Sequence, residues 1–267
     1  GKFIGENALA AVGNSYEITL IFIAFAFGCN IGCSVIVSQL FGAKKLGEMK
    51  TAVYTTFISS AVLCAVLMAG GTIFCDSLLH LINTPENVFA DSRLYLDIYI
   101  MGLPFVFFYN VATGIFSALG DSKTPFIFLA ASSTSNIFMD ILFVTAFKMG
   151  VAGVAYATIL AQALSAVLVL YVLARSDGPY KLFFRRLCIK LPVLRQIVGI
   201  GLPTALQGAI TAFSNVFVQS YINAFGSDCA AGWSIYGKLD QFALLPQQSL
   251  SAANTTFVGQ NLGAGLS

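Results

Sequence analysis

Charge is what this 267-residue chain lacks. Only 10% of its residues are Asp, Glu, Lys or Arg, against roughly a quarter in soluble domains. A soluble protein of this length would still cover its surface with charge, so a soluble fold is excluded. The charges present nearly cancel, at +2, and no basic patch invites a nucleic acid. Histidine is scarcer still. The single one, His80, is expected in an outer loop beside Asn83 and Pro85. There is no HExxH and no paired acidic motif, so an intramembrane protease, phosphatase or metalloenzyme has nothing to work with. The six cysteines sit mostly in apolar stretches. Cys29 and Cys33 can share a helix face, but with no further Cys or His beside them they read as small buried filler and not as a metal site.

Apolar residues make up 57% of the chain, and its mean hydropathy is +0.83. About 20 mainly apolar residues cross the hydrocarbon of a bilayer, and seven segments are candidates. They lie at Ser15–Leu40, Ala52–Phe74, Tyr95–Leu119, Pro125–Phe147, Val151–Ala174, Leu194–Ile222 and Ala230–Val258. The runs are continuous and do not alternate, so they predict helices and not barrel strands. The seventh is punctuated by Lys238, Asp240, Gln241, Gln247, Gln248 and Asn254, as in a helix that lines water or protein. Pro104 and Pro203 are expected to permit kinks, and the Gly28/Gly32 pair to mark close helix packing.

The loops after the first, third and fifth spans hold ten Lys and Arg, the opposite side three. This bias puts the first set in the cytoplasm, including the basic segment around Phe183-Phe184-Arg185-Arg186, which also suits anionic lipid. A forty-residue pattern recurs at an offset of 221. Gly5, Ala10, Val37, Gln39, Gly42 and Ala43 match Gly226, Ala231, Val258, Gln260, Gly263 and Ala264. The copies hold spans one and seven, six crossings apart, so they are expected to be parallel repeats about an axis along the membrane normal. Span six precedes the second copy and has no partner before the first. The chain is therefore expected to be a piece of a longer protein, with twelve helices if each half has six.

Seven motifs in collinear order carry a resemblance across the whole chain. They are ALAAVG (8–13), SQLFGAKK (38–45), ALGDSKTP (118–125), NIFMD (136–140), GVAGVAYAT (150–158), GLPTALQ (201–207) and FVGQNLGAG (257–265). In these the chain resembles the multidrug and toxic compound extrusion (MATE) family, in its bacterial branch named for a DNA-damage-inducible member. The resemblance implies an all-α, two-lobed, twelve-helix transporter that exports organic cations or amphiphiles in exchange for Na⁺ or H⁺. The spans here would be the family's second to eighth helices. Residues 1–175 would belong to the first lobe, 176–193 to a basic cytoplasmic linker and 194–267 to the second lobe. No cofactor beyond the coupling ion is implied. The expected partners are a small-molecule substrate and the lipid bilayer of the cytoplasmic membrane, with the complete protein working as a monomer. Some members carry a Glu about eight residues after the Pro of GLP. Thr211 stands there in this chain, which leaves coupling to the first lobe.

An ionisable residue at mid-membrane costs about 2.5–3.5 kcal/mol on insertion scales, so Asp140 needs a reason. Asn136 stands one turn before it on the same helix face. A carboxylate with an amide oxygen above it offers hard ligands to a partly dehydrated Na⁺. The same pair can exchange a proton instead, because surrounding oil disfavours the charged form. Thr158 can add a hydroxyl oxygen. The resemblance places a cation site at these three positions; the plainer reading is an aspartate held by interhelical hydrogen bonds. Asp240 and Lys238 either line a substrate pathway or snorkel to water. Gln207, Asn110 and Tyr109 are candidate cavity residues, with interhelical hydrogen bonding as the alternative. A lipid-linked oligosaccharide flippase of related architecture is the other transport reading. It calls for a cationic cavity, whereas the Lys and Arg lie in loops or, as Arg195, at the edge of a span, leaving only Lys238 well within one.

Overall fold

A computed structural model describes residues 6–82, 84–176, 189–224 and 227–266 of the chain. The linker residues 177–188 and the repeat's first match, Gly5 with Gly226, lie outside the described residues, as do the side chains of Glu17, Lys238 and Gln241. The described chain is helical: α1 (Glu6–Gly42), α2 (Leu46–Leu81), α3 (Glu86–Met101), α4 (Leu103–Ala118), α5 (Lys123–Ile141), a π-helical turn (Leu142–Ala146), α6 (Gly150–Arg175), α7 (Leu191–Ala224) and α8 (Ser227–Gly263). Among the described residues, five helices are long and apolar enough to cross a membrane, six if the bent pair α3–α4 is one span. Six of the seven expected spans meet that measure, and the seventh, α8, does not. That helix forms over 37 residues, but it falls short in apolar character and is not among those that qualify. His80 is also moved: it sits in the last turn of α2, not in a loop, with its ring 4.8 Å from Phe89.

The prolines behave differently. Pro104 stands in the first turn of α4, and the span bends there by 49° at Gly102. Proline lacks the N–H that would continue the ladder, and its ring clashes with the carbonyl four residues back. The break is also packed: a β-carbon at Gly102 would lie 2.6 Å from Cγ1 of Ile159 in α6. Pro203, by contrast, lies inside an unbroken α7. The start of α5 explains the GDSKTP motif. Asp121 Oδ1 accepts the Lys123 and Thr124 amides at 3.1 and 3.0 Å, and Oδ2 accepts the Thr124 hydroxyl at 2.6 Å. One carboxylate thereby satisfies amides that a helix start leaves without partners.

Two buried clusters hold the bundle. One gathers Ile18, Phe22, Leu96, Tyr99, Leu103 and Phe107 around α1, α3 and α4. The other gathers Val37, Met49, Val53, Ile115, Phe116 and Leu173 nearer the basic ends of the helices. α7 runs antiparallel along α1 in a seam of small residues, where Gly28 meets Gly201 and Ala205, and Gly32 meets Ile197. That is the close approach expected of Gly28 and Gly32.

The repeat is visible in the structure. α1 closes with Ala43 N–H to Gln39, Lys44 N–H to Phe41 and Lys45 N–H to Leu40. α8 closes with Ala264 to Gln260, Gly265 to Leu262 and Leu266 to Asn261. These are the same three bonds 221 residues on, and they form a left-handed helix cap of the Schellman type. The residue in the left-handed region is Lys44 in one copy (φ 56°) and Gly265 in the other (φ 73°). The two capped ends lie against each other. Lys190, at the start of α7, donates its amide to Thr55 Oγ1 near the start of α2 at 3.3 Å. α7 therefore begins on the basic side, and α8 returns to it parallel to α1, as the repeat requires.

Candidate functional site

The bend in the α3–α4 span opens a cavity of about 310 Å³ against α5 and α6. Tyr99 faces it from before the break, and Phe105, Tyr109 and Asn110 from after it. Ser132, Ser133 and Asn136 contribute from α5, and Thr158, Gln162 and Ser165 from α6. The wall mixes aromatic, hydroxyl and amide groups with the aliphatic Ile23, Val106, Leu129 and Ala161, with no Lys, Arg or carboxylate among the residues lining it.

Most of these polar groups are tied to the bundle. Tyr109 donates its hydroxyl to the Pro125 carbonyl at 3.1 Å, and Asn110 Nδ2 donates to Val106 at 2.9 Å. The Asn110 carbonyl accepts from Asn30 Nδ2 at 2.9 Å, which joins α1 to α4. Ser132 donates to the Ala161 carbonyl at 2.7 Å and so joins α5 to α6. Thr158 and Ser165 donate to their own helix. Three buried atoms near this wall are left over: Asp140 Oδ1, Asn136 Nδ2 and Gln162 Oε1 have no hydrogen-bond partner. An unmet buried acceptor costs roughly 1–3 kcal/mol, more when charged. Asp140 is half-buried and stands next to the π-helical turn, where Phe147 N–H reaches Leu142 at 3.2 Å. Such turns occur preferentially where a helix presents a functional group. Thr158, on the facing helix α6, gives its hydroxyl to the Val154 carbonyl at 2.9 Å.

Of the residues singled out in the sequence, the cavity brings together Asn136, Thr158, Tyr109 and Asn110, with Asp140 one turn beyond Asn136. It does not gather the rest. Gln207 is exposed on α7, where its carbonyl accepts the Thr211 hydroxyl at 2.9 Å. Asp240 is exposed on α8. Lys238 has no described side chain. Sequence reasoning missed Tyr99, Ser132 and Gln162. A signal was present for two of them: Ser132, Asn136 and Asp140 repeat every four residues, as do Thr158 and Gln162, so each set shares one helix face. Tyr95 and Tyr99 are also four apart, but two tyrosines in an apolar run do not stand out as polar residues do. Among the described residues the cysteines are dispersed in packing, with Cys33, Cys64 and Cys75 buried and Cys29 partly so.

Residues 1–142 match the MatE family model. The probable multidrug resistance protein YoeA of Bacillus subtilis (strain 168) is 31% identical over 99% of this chain and 58% of its own length. The chain thus spans about three fifths of the length of such relatives. Its fold superposes on a MATE-family transporter of the MOP superfamily solved in an outward-facing conformation, with a TM-score of 0.90 at 23% identity, covering 98% of this chain and 59% of that one. Against an inward-facing structure the TM-score is 0.81 at 21% identity, covering 97% of this chain and 63% of that one.

Proposed function

The chain belongs to the MatE family, a family of transporters and not of enzymes, and from that premise we propose that it forms part of a cation-coupled antiporter of the cytoplasmic membrane. Residues 1–175 make one lobe, 176–193 a linker and 194–267 the opening of a second lobe. The substrates are organic cations or amphiphilic metabolites, held in the cavity against Tyr109 and Asn110. The coupling ion, Na⁺ or H⁺, binds at Asp140.

The observation that carries this reading is the unpartnered buried oxygen of Asp140 beside a polar cavity. A carboxylate so placed is relieved by a proton or by a cation. Asn136 presents its nitrogen here; a half-turn of the amide offers the oxygen that a cation needs. Thr158 supplies a hydroxyl oxygen from the facing helix. A coupling ion shifts the balance between two conformations only through its different affinity for them, and a site beside a cavity that opens and closes has that property. The cavity wall carries no cation for a pyrophosphate, which disfavours a flippase of lipid-linked sugars.

The test is Asp140→Asn, assayed by gradient-driven dye export in energised vesicles and by thermal unfolding with and without Na⁺. Export is expected to fall to background. If Na⁺ is the coupling ion, its stabilisation of the native protein should vanish in the variant. Export at the native rate would refute the assignment.

A further inference from the structure

The last turns of α1 and α8 meet at two glycines. A β-carbon at Gly42 would overlap the main-chain carbonyl of Gln260, and one at Gly263 would overlap that of Gln39. Each contact is the image of the other at the offset of 221, so the two ends form a reciprocal, self-complementary pair of the kind a two-fold axis produces. A β-carbon at Gly259 would likewise overlap the Ser38 hydroxyl. Beside this crossing, α8 bonds to the end of α4: Thr256 Oγ1 donates to Ser117 at 2.9 Å and Gln260 Nε2 to Ala118 at 2.7 Å. Those carbonyls lie in the final turn of α4, where a helix leaves acceptors over. Toward the opposite side the contact stops. From 239 to 254, every α8 residue whose side chain is described is exposed. The two repeat helices therefore touch at the basic, cytoplasmic face and part toward the outer one.

We infer that Gly42 and Gly263 are the paired closing residues of an inner seal, and that the Gln260 side chain is its latch. Main chain pressed on main chain sets a sharp stop, because no side chain can yield to soften it. The contact also immobilises no rotamers, so closing and reopening carry little side-chain entropy. The Gln260 bond adds direction. The amide can exchange the Ala118 carbonyl for water when α8 swings away, so the latch holds without locking. Either glycine replaced by alanine should hold the cytoplasmic ends apart. The inference rests on the transport reading, since a seal matters only where the two ends must open and close.

The test places spin labels at Lys44 and Leu266, both exposed beside the seal, on a background without native cysteines, with the protein in lipid nanodiscs. Pulsed dipolar spectroscopy is expected to give mainly a short distance. Gly263→Ala and Gly42→Ala should move most of that population to longer distances, and Gln260→Leu, which removes the latch without adding bulk, should move it several-fold less. Gly47→Ala, whose added methyl meets nothing within 4 Å, should leave the distribution unchanged. Native distributions in both Gly263→Ala and Gln260→Leu would overturn the inference. Should Gly263→Ala fail to fold, Gln260→Leu decides alone. Lengthened distances with undiminished gradient-driven export would show that the contact is no seal, whereas the expected distances in a protein without gradient-driven export would leave the paired contact standing and sink the transport reading.

Discussion

Two glycines of α7, only two residues apart, should respond to the same substitution in opposite ways. A methyl at Gly201 would lie 2.6 Å from the Gly28 carbonyl oxygen of α1, where ordinary contact begins at 3.4 Å. The shortfall is about 0.8 Å, and it is against main chain, which has no rotamer to move. α7 must then retreat along the seam and loosen Ile197 against Gly32, Ala205 against Gly28 and Gly208 against Ala24. A gap of about 0.5–1 Å forfeits a quarter to a half of each contact's attraction, and overpacked sites typically lose about 1–3 kcal/mol. Alanine's better helix propensity returns up to about 1 kcal/mol. Gly201→Ala is therefore expected to destabilise by roughly 1–2 kcal/mol. Gly199→Ala meets nothing within 4 Å and keeps only the propensity gain. Cys33, Cys64 and Cys75 are at most 3% exposed, so in a protein whose other cysteines are replaced a thiol-reactive fluorogenic dye reports unfolding. Gly201→Ala should melt several degrees below the native protein, and Gly199→Ala at or above it. Equal melting of the two variants, or the reverse order, would refute the packing argument.

Other substitutions separate strong effects from weak ones. Asp121→Ala removes three bonds at the start of α5 and should cost about 0.5–2 kcal/mol, as lost caps do, read by the same dye assay. Arg93→Gln breaks the 2.7 Å pair with Asp76 and the 3.7 Å pair with Asp97. Because these side chains are 42–48% exposed, water screens them, and the melting point should correspond to a loss below about 1 kcal/mol. A larger loss would mean that this cluster, and not apolar packing, fastens the outer end of α3 to α2.

Where the sequence was legible, the reason is that the bilayer simplifies the problem. In oil every backbone group must be satisfied within its own helix, so long apolar runs could be read directly as α1, α2, α5, α6 and α7. α8 was harder, because its polar residues break the run; length shows it as a helix, but composition does not show it as a span. The candidate site was half legible. Asn136, Asp140 and Thr158 stand out as polar residues where oil was expected, whereas Asp240 and Gln207 stand out equally and end up exposed. Polarity in a sequence shows that a residue needs a partner, not where the partner is.

By itself, the sequence determined that this chain is a helical membrane protein, which of its ends share a face, and that one forty-residue unit is used twice. Those are properties of single segments and of their count: hydropathy, basic loops, and an even number of crossings between the copies. Tertiary structure decided that the span breaks beside Pro104 while α7 continues as one helix through Pro203, that Tyr99 reaches the cavity, and that Gly42 and Gly263 close on each other's helix. Each of these depends on what lies a few ångströms away on a helix far off in sequence, and one-dimensional periodicity carries no record of that neighbour.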